Sequence, residues 1–143
     1  MVKSMKTNVL RIEPMDLLNP DIIYCKDTYV MALSTGVLTP GGQIVVSRDL
    51  KEWKTASFLM NDTNEESVPM KSTMASPSIV FCDDTIYVAF TYEGGNQMNL
   101  FSAKDFYGPW NHSVIDGYFP NGSLFEDDGK KYIVWSENEA RLT

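Results

Sequence analysis

The chain has 143 residues, a formal charge of −7 and 43% hydrophobic residues, which is enough apolar material for one folded core. Its acidic balance argues against a nucleic-acid partner, because such binding needs a surface that neutralises phosphates. No apolar run approaches the length of a membrane span, and residues 1–18 hold no apolar stretch of a signal peptide, so we expect a cytoplasmic protein without a membrane partner.

One strand-like segment occurs three times along the chain. It begins at Asn19, at Ser76 and at Asn121, with ungapped offsets of 57 residues (19 to 76) and 45 residues (76 to 121). Each copy has a short apolar run, a polar turn with Asp, and a second run rich in aromatic and β-branched residues, which is the pattern of a β-hairpin. A repeat of this period indicates one supersecondary unit that is used several times.

Further strands follow the first two hairpins. A third strand-like run leads to Trp53 and its equivalent leads to Trp110, and a fourth strand fits around Thr55–Leu59 and Ser113–Asp116. Four antiparallel strands per repeat are typical of a β-propeller blade, whereas an ordinary β-sandwich does not require hairpins that resemble one another. We therefore predict an all-β fold in which residues 1–143 form one incomplete propeller domain. Its blades are expected at about 19–60, 76–117 and, for half of a third blade, 121–143.

Several short motifs carry a resemblance to a known family. The segments Asn19-Pro20-x-Ile22 and Ser47-x-Asp49-Leu50-x-x-Trp53 are similar to the opening blade of family 43 glycoside hydrolases, the five-bladed propeller β-xylosidases and α-L-arabinofuranosidases. The run Ser123-Leu124-Phe125-Glu126-Asp127-Asp128-Gly129 matches their third blade, and Ala75-Ser76-Pro77 stands where Trp-Ala-Pro is usual. Propellers that act on fructosides or mannosides share parts of this pattern, but the Ser-x-Asp-Leu-x-x-Trp element favours family 43. The resemblance implies the N-terminal part of such an enzyme, with two four-stranded blades and the first hairpin of a third.

The resemblance also implies a reaction, the inverting hydrolysis of pentose glycosides in the central funnel of the ring. Such a reaction needs a carboxylate base and a carboxylic acid roughly 6.5–9.5 Å apart. Carried over, the base position falls on Asn19 and the position that tunes the acid falls on Asn121, while Ala75 and Ser76 become the candidate substrate-binding pair. The acid itself would lie beyond Thr143. Because an amide cannot take a proton at neutral pH, we expect the isolated chain to be inactive.

Asp21 is a candidate substitute for the missing carboxylate. It follows Asn19 by two residues and therefore lies on the same side of an extended strand. Its equivalents in the other repeats are Ser78 and Ser123, which indicate instead a small polar position that makes capping or turn hydrogen bonds.

The remaining titratable residues have simpler interpretations. Glu126 and the Asp127-Asp128 pair are candidate acids or calcium ligands, but their place in a hairpin favours a solvated turn. A single histidine, His112, cannot build a metal site, so we expect no metal and no cofactor. Cys25 and Cys82 occupy equivalent positions in successive repeats, which are too far apart for a disulfide, so we predict two buried free thiols.

Two blades and a hairpin cannot close a five-bladed ring, and the blade face left uncovered is apolar. The chain is therefore expected to be the N-terminal part of a longer protein or to associate, either with itself or with the missing C-terminal blades. Three functions stay open: part of a glycosidase, a catalytically silent saccharide-binding propeller, and an association scaffold. For the first two, the expected partner is a pentose-containing oligosaccharide or glycoside.

Overall fold

The structure is a computed structural model that describes residues 18–36, 41–60, 74–75 and 77–136. Within these ranges all regular structure is β-strand, and there is no helix long and apolar enough to cross a bilayer. Ten strands are described: β1 Leu18–Cys25, β2 Thr28–Ser34, β3 Gly41–Ser47, β4 Lys54–Met60, β5 Ser78–Cys82, β6 Thr85–Thr91, β7 Gln97–Ala103, β8 Asn111–Asp116, β9 Ser123–Asp127 and β10 Lys130–Val134.

The strands form three antiparallel sheets in chain order. The first sheet is β1-β2-β3-β4, the second is β5-β6-β7-β8, and the third is the hairpin β9-β10; we call them blades one, two and three. The innermost strands β1, β5 and β9 are neighbours in space. The all-β prediction is confirmed, and the anticipated fourth strands are present as β4 and β8. Residues 137–143 of the predicted third blade lie outside the described residues.

The main core lies between blades one and two. Val30 and Ile44 of blade one are fully buried against Ile86, Val88 and Phe90 of blade two. Because side chains alternate between the two faces of a strand, this interface takes every second residue of each strand. Burying a side chain of this size contributes about 1.5–3 kcal/mol, so packing of blade against blade stabilises the described residues substantially.

Polar contacts join the same two blades both at their outer strands and at their first hairpin turns. Trp110 Nε1 donates a hydrogen bond to Ser57 Oγ at 3.0 Å, and that hydroxyl donates to the Phe106 carbonyl at 2.7 Å. In the hairpin turn of blade one, Lys26 Nζ lies 3.1 Å from Asp84 Oδ1 of blade two. These contacts add polar links between the two blades to the apolar packing of their facing sides.

The two cysteines are free and buried, as predicted. Cys25 ends β1 and Cys82 ends β5, so they occupy equivalent positions in neighbouring blades. Burial raises the pKa of both thiols, and the nearby Asp83 raises that of Cys82 further. The Cys82 thiol points towards blade three, where its Sγ lies 3.7 Å from the Gly129 carbonyl oxygen.

The Ser-x-Asp-Leu motif shapes the turn between β3 and β4. Ser47 Oγ accepts the N–H of Leu50 at 2.9 Å, and Asp49 Oδ1 accepts the N–H groups of Lys51 and Glu52, each at 2.9 Å. The bonds from Glu52 and Lys51 hold the pKa of the Asp49 carboxyl below its usual value. They also stabilise Leu50 at a φ of 61°, which is rare for a residue of this type. The motif is explained by local backbone geometry, without any ligand.

Candidate functional site

A pocket opens where the inner strands of the three blades meet. Its volume is about 470 Å³, within the roughly 300–1,000 Å³ that is typical of small-ligand sites. The first and third residues of the repeated hairpin motif make up much of its wall. The described lining residues are Asn19, Pro20, Asp21, Ala75, Pro77, Ser78, Thr91, Asn121, Gly122 and Ser123. Ser76, a predicted binding residue, lies outside the described residues.

Asn19 reaches this pocket through an irregularity in β1. The register of β1 on β2 shifts between Leu18 and Asp21, so that Asn19 and Pro20 together face the single residue Leu33. A bulge of this kind bends the strand and redirects a side chain, and it also accommodates a proline, which has no N–H for the ladder. The sequence Asn-Pro therefore turns the Asn19 side chain into the pocket.

Asn121 reaches the same pocket through a tight turn just before β9. Gly122 N–H donates to the Phe119 carbonyl at 3.1 Å, which closes a four-residue turn with Pro120 second and Asn121 third. This arrangement, with a positive φ at the third residue, is that of a type II turn. A Cβ at Gly122 would collide with Met98 and Phe119, so glycine lets the turn pack against blade two.

The two asparagines share an uncommon backbone conformation. The φ angle is 52° at Asn19 and 53° at Asn121, in the left-handed region that Asn and Asp adopt far more readily than other residues with a side chain. Both side chains line the pocket. Exchange between Asn and Asp at these two positions therefore changes the chemistry of the pocket with little change in backbone strain.

Asp21 also lines the pocket, but its carboxylate is held by backbone donors. Its Oδ2 accepts the N–H of Ile79 in blade two at 2.8 Å, and its Oδ1 accepts the N–H of Ile22 at 3.0 Å. Among the described residues that line the pocket, it is the only carboxylate. The bond to Ile79 gives Asp21 a structural role in joining two blades, while a catalytic role for it stays a prediction.

The same bond recurs one blade further on. Ser78, which is equivalent to Asp21, accepts the N–H of Leu124 in blade three on its Oγ at 2.9 Å. Leu124 is in turn equivalent to Ile79. Asp21 makes one local bond of the predicted capping or turn type, from the N–H of Ile22, and in addition Asp21 and Ser78 each accept an N–H from the neighbouring blade. Sequence comparison of the repeats finds the acceptor at this position but cannot reveal that its donor lies 46–58 residues away.

The pocket wall also differs from the one that the resemblance to family 43 implies. Ala75 is half-buried at the rim, where its N–H donates to the Thr91 carbonyl at 2.7 Å. None of the described lining residues is aromatic. A sugar in this part of the pocket would therefore meet amide, hydroxyl and carboxylate groups, with no aromatic face to stack on.

The other candidates lie away from the pocket. Asp127 and Asp128 are exposed at the β9–β10 turn, where Glu126 Oε1 accepts the N–H of Gly129 at 2.9 Å, which agrees with a solvated turn. His112 stacks on Phe101 within blade two, with ring centroids 4.4 Å apart. Across the described ranges, no three His, Cys, Asp or Glu residues are grouped so that they could hold a metal ion.

The chemistry of the described pocket suits hydrogen bonding to a polar ligand. An amide both donates and accepts hydrogen bonds, and a hydroxyl does the same, so Asn19, Asn121 and Ser123 can all match the hydroxyl groups of a ligand. An inverting hydrolysis needs two carboxyl groups on opposite sides of a sugar. The described lining supplies one, Asp21, and both its oxygens already accept backbone N–H groups.

Comparison with known proteins identifies the class of protein. The family model for glycosyl hydrolases family 43 matches residues 12–143. The chain is 32% identical over 129 residues to a xylan 1,3-β-xylosidase from Vibrio sp., covering 81% of this chain and 24% of that protein. It is 29% identical over 134 residues to a non-reducing end α-L-arabinofuranosidase from Bacteroides ovatus, covering 85% of this chain and 25% of that protein.

Solved structures agree with this assignment. The crystal structure of a xylan β-1,4-xylosidase from Bacillus halodurans superposes with a TM-score of 0.70 at 29% sequence identity, covering 82% of this chain and 25% of that one. The chain belongs to glycosyl hydrolases family 43. It spans about a quarter of the length of the curated relatives that it matches.

Proposed function

We propose that the described pocket is part of the saccharide site of a family 43 glycoside hydrolase whose complete chain hydrolyses pentose glycosides with inversion. Support comes from the family match and from relatives that are named as xylosidases and an arabinofuranosidase. The observation that carries the proposal is the convergence of Asn19, Asp21 and Asn121, from two different blades, on one pocket of about 470 Å³.

The proposal assigns binding to this segment and turnover to the complete chain. Asn19 and Asn121 hydrogen-bond sugar hydroxyls as donors and acceptors, but neither can remove a proton from water at neutral pH. Loss of a general base typically costs on the order of 10²–10⁴ in rate. The isolated 143-residue chain therefore binds a pentose weakly and does not hydrolyse its glycosides. The alternative is a catalytically silent propeller, in which the complete chain also binds the sugar and does not hydrolyse its glycosides.

Binding is tested by calorimetric titration of the chain with xylose, arabinose and their short oligosaccharides. Asn19→Gly and Asn121→Gly remove the amides but tolerate a positive φ, so each should weaken binding without unfolding the chain. Asp128→Gly is the matched control, because Asp128 has a φ of 49° and sits in the exposed turn away from the pocket. Equal binding by all three variants would show that the sugar does not bind in this pocket. Tighter binding of a hexose than of a pentose would contradict the proposed preference for pentoses.

Turnover is tested on the complete protein with aryl-xylosides and aryl-arabinosides. Hydrolysis supports the enzyme, while sugar binding without hydrolysis supports the silent propeller. Hydrolysis at ordinary rates with Asn19 unchanged would show that Asn19 is not at the position of the base. Asp21→Asn would then be the first variant to measure.

We also propose self-association of the chain as a second role. The observation that favours it is exposed aromatic surface at both ends of the arc: Tyr24 in blade one is 59% exposed, and Phe125 in blade three is 53% exposed. Apolar surface of this kind is unfavourable in water. Light scattering on the isolated chain should detect dimers or larger species, and a stable monomer at all concentrations would contradict this role.

A further inference from the structure

The sequence contains a single Asn-Gly pair, Asn121-Gly122, and both of its residues line the pocket. The side-chain amide carbon of an asparagine can be attacked by the backbone nitrogen of the next residue, which closes a five-membered succinimide ring. A side chain on that next residue crowds the attack, whereas glycine has none and lets the backbone approach closely. The pair is therefore a candidate for a spontaneous chemical change within the pocket.

Three features of the structure allow this reaction at Asn121. Its side chain is exposed and lines the pocket, so water reaches the amide. Within the described residues, no hydrogen bond holds that amide. The attacking nitrogen, that of Gly122, donates one bond to the Phe119 carbonyl at 3.1 Å, and many turns of this kind exist without such a bond. Because the bond must open before the nitrogen attacks, the fold slows the reaction but does not prevent it.

Asn19 provides a contrast within the same pocket. It has the same left-handed backbone as Asn121, with φ angles of 52° and 53°. The residue that follows Asn19 is Pro20, whose ring nitrogen carries no hydrogen in the peptide bond. This nitrogen has no proton to lose, so it cannot close a neutral succinimide ring. The two equivalent asparagines should therefore differ in chemical lifetime.

We propose that Asn121 is a site of spontaneous deamidation, which converts one of the two pocket amides into a carboxylate while Asn19 keeps its amide. The Gly122 nitrogen forms a bond to Asn121 Cγ, the Cγ–Nδ2 bond breaks, and ammonia leaves with the proton that the backbone nitrogen loses. Water then opens the ring at either of its two carbonyl carbons, which gives aspartate or isoaspartate. The net reaction consumes one water and releases one ammonia, and nothing is oxidised or reduced.

The reaction adds a negative charge to the pocket. Asp21 is the only carboxylate among the described lining residues, and deamidation supplies a second one. It does so at the position where the resemblance to family 43 implies a carboxylate that tunes the acid. Aspartate tolerates the left-handed backbone of this position as asparagine does, whereas isoaspartate lengthens the backbone by one carbon and should disturb the turn. The inference goes beyond the proposed function and does not depend on it, because the reaction needs no sugar.

The test is incubation of the folded chain at mildly alkaline pH in water labelled with heavy oxygen, followed by peptide mapping with mass spectrometry. Deamidation should raise the mass of the peptide that holds Asn121 by the difference between an amide and a labelled carboxyl group. Asn111 is the matched control, because it is exposed on β8 and is followed by His112, whose side chain crowds the attack. The mass gain should be several-fold faster at Asn121 than at Asn111, and Asn19 should show none. The same chain in urea should react faster still at Asn121, since the turn no longer holds the nitrogen.

Two variants identify the product and the reacting residue. Asn121→Asp is the reference for the aspartate product in ion-exchange chromatography. Asn121→Gln should abolish the mass gain, because a glutamine would have to close a larger ring, and circular dichroism checks that both variants fold.

The rates decide the proposal. Equal rates at Asn121 and Asn111 in the folded chain, or a gain at Asn121 only in urea, would overturn it. An equal gain at Asn19 would also overturn it, because that reaction cannot proceed through the following nitrogen. The same order of rates is expected in the complete protein, and an Asn121 that keeps its amide there would count against the proposal as well.

Discussion

Replacing Asp21 with alanine tests the hydrogen bond that joins blades one and two at the pocket. The substitution removes the Oδ2 acceptor, 2.8 Å from the backbone nitrogen of Ile79. Ile79 is buried, with 2% of its surface exposed, so its N–H is left without that partner in a site that water reaches poorly. The substitution therefore removes a hydrogen bond to a charged acceptor and leaves the buried N–H of Ile79 without that acceptor.

The expected loss of stability follows from these two effects. A hydrogen bond to a charged group is worth roughly 1.5–3 kcal/mol, and an unpaired buried donor costs roughly 1–3 kcal/mol, but the two figures overlap and do not add. Asp21 itself is half-buried, so we expect the lower part of the range, a loss of about 2 kcal/mol. For a chain of this size, that corresponds to a fall in melting temperature of roughly 4–8 °C.

Two further variants separate the acceptor from its charge. Asp21→Ser gives blade one the acceptor that Ser78 provides in blade two, so it should recover about half of the lost free energy, as expected for a neutral hydrogen bond. Asp127→Ala removes an exposed carboxylate from the hairpin turn of blade three and should change the stability by less than about 0.5 kcal/mol.

The free energy of unfolding is measured by urea denaturation, followed by tryptophan fluorescence at a dilution at which the chain is monomeric. If Asp21→Ala is no less stable than Asp127→Ala, the bond to Ile79 contributes nothing and the account of the joint is wrong. If Asp21→Ser is as unstable as Asp21→Ala, the charge of Asp21 matters and its acceptor position does not.

Three other outcomes are expected. The pKa of Asp49 is lower in the folded chain than the value of about 3.9 for an unfolded Asp. The ionised Asp49 carboxylate therefore stabilises the fold fully above a pH of about 3.9, and this stabilisation is lost as the pH falls through the folded pKa. Urea midpoints measured against pH should show this loss in the original chain and lack it in Asp49→Asn. Because burial raises the pKa of Cys25 and Cys82, an aromatic disulfide reagent should label both thiols slowly in the native chain and rapidly in urea, and fast native labelling or a disulfide between them would contradict the structure. Asn19→Asp combined with Asn121→Asp should leave the isolated chain without measurable hydrolysis of an aryl-xyloside, and turnover by this double variant would show that the segment needs no further carboxylic acid.

The sequence by itself determined the repeat and most of the strands. The ungapped threefold pattern predicted the all-β blades, because hairpin formation depends on local features that the sequence carries directly: strand-forming runs and Asp-rich turns. The equivalence of Cys25 and Cys82 likewise predicted two buried thiols that do not meet. The short motifs that resemble family 43 were sufficient to identify the family, since their order along the chain is itself specific.

Only the tertiary structure decided what surrounds the motif residues. The pocket exists because a bulge at Asn19 and a type II turn at Asn121 direct side chains from separate blades towards one place, and nothing local in either segment encodes that meeting. The bond from Ile79 to Asp21 spans 58 residues, so its donor cannot be read from the neighbourhood of the acceptor. Local propensity fixes each hairpin, whereas the packing of one blade on the next fixes which residues share a site.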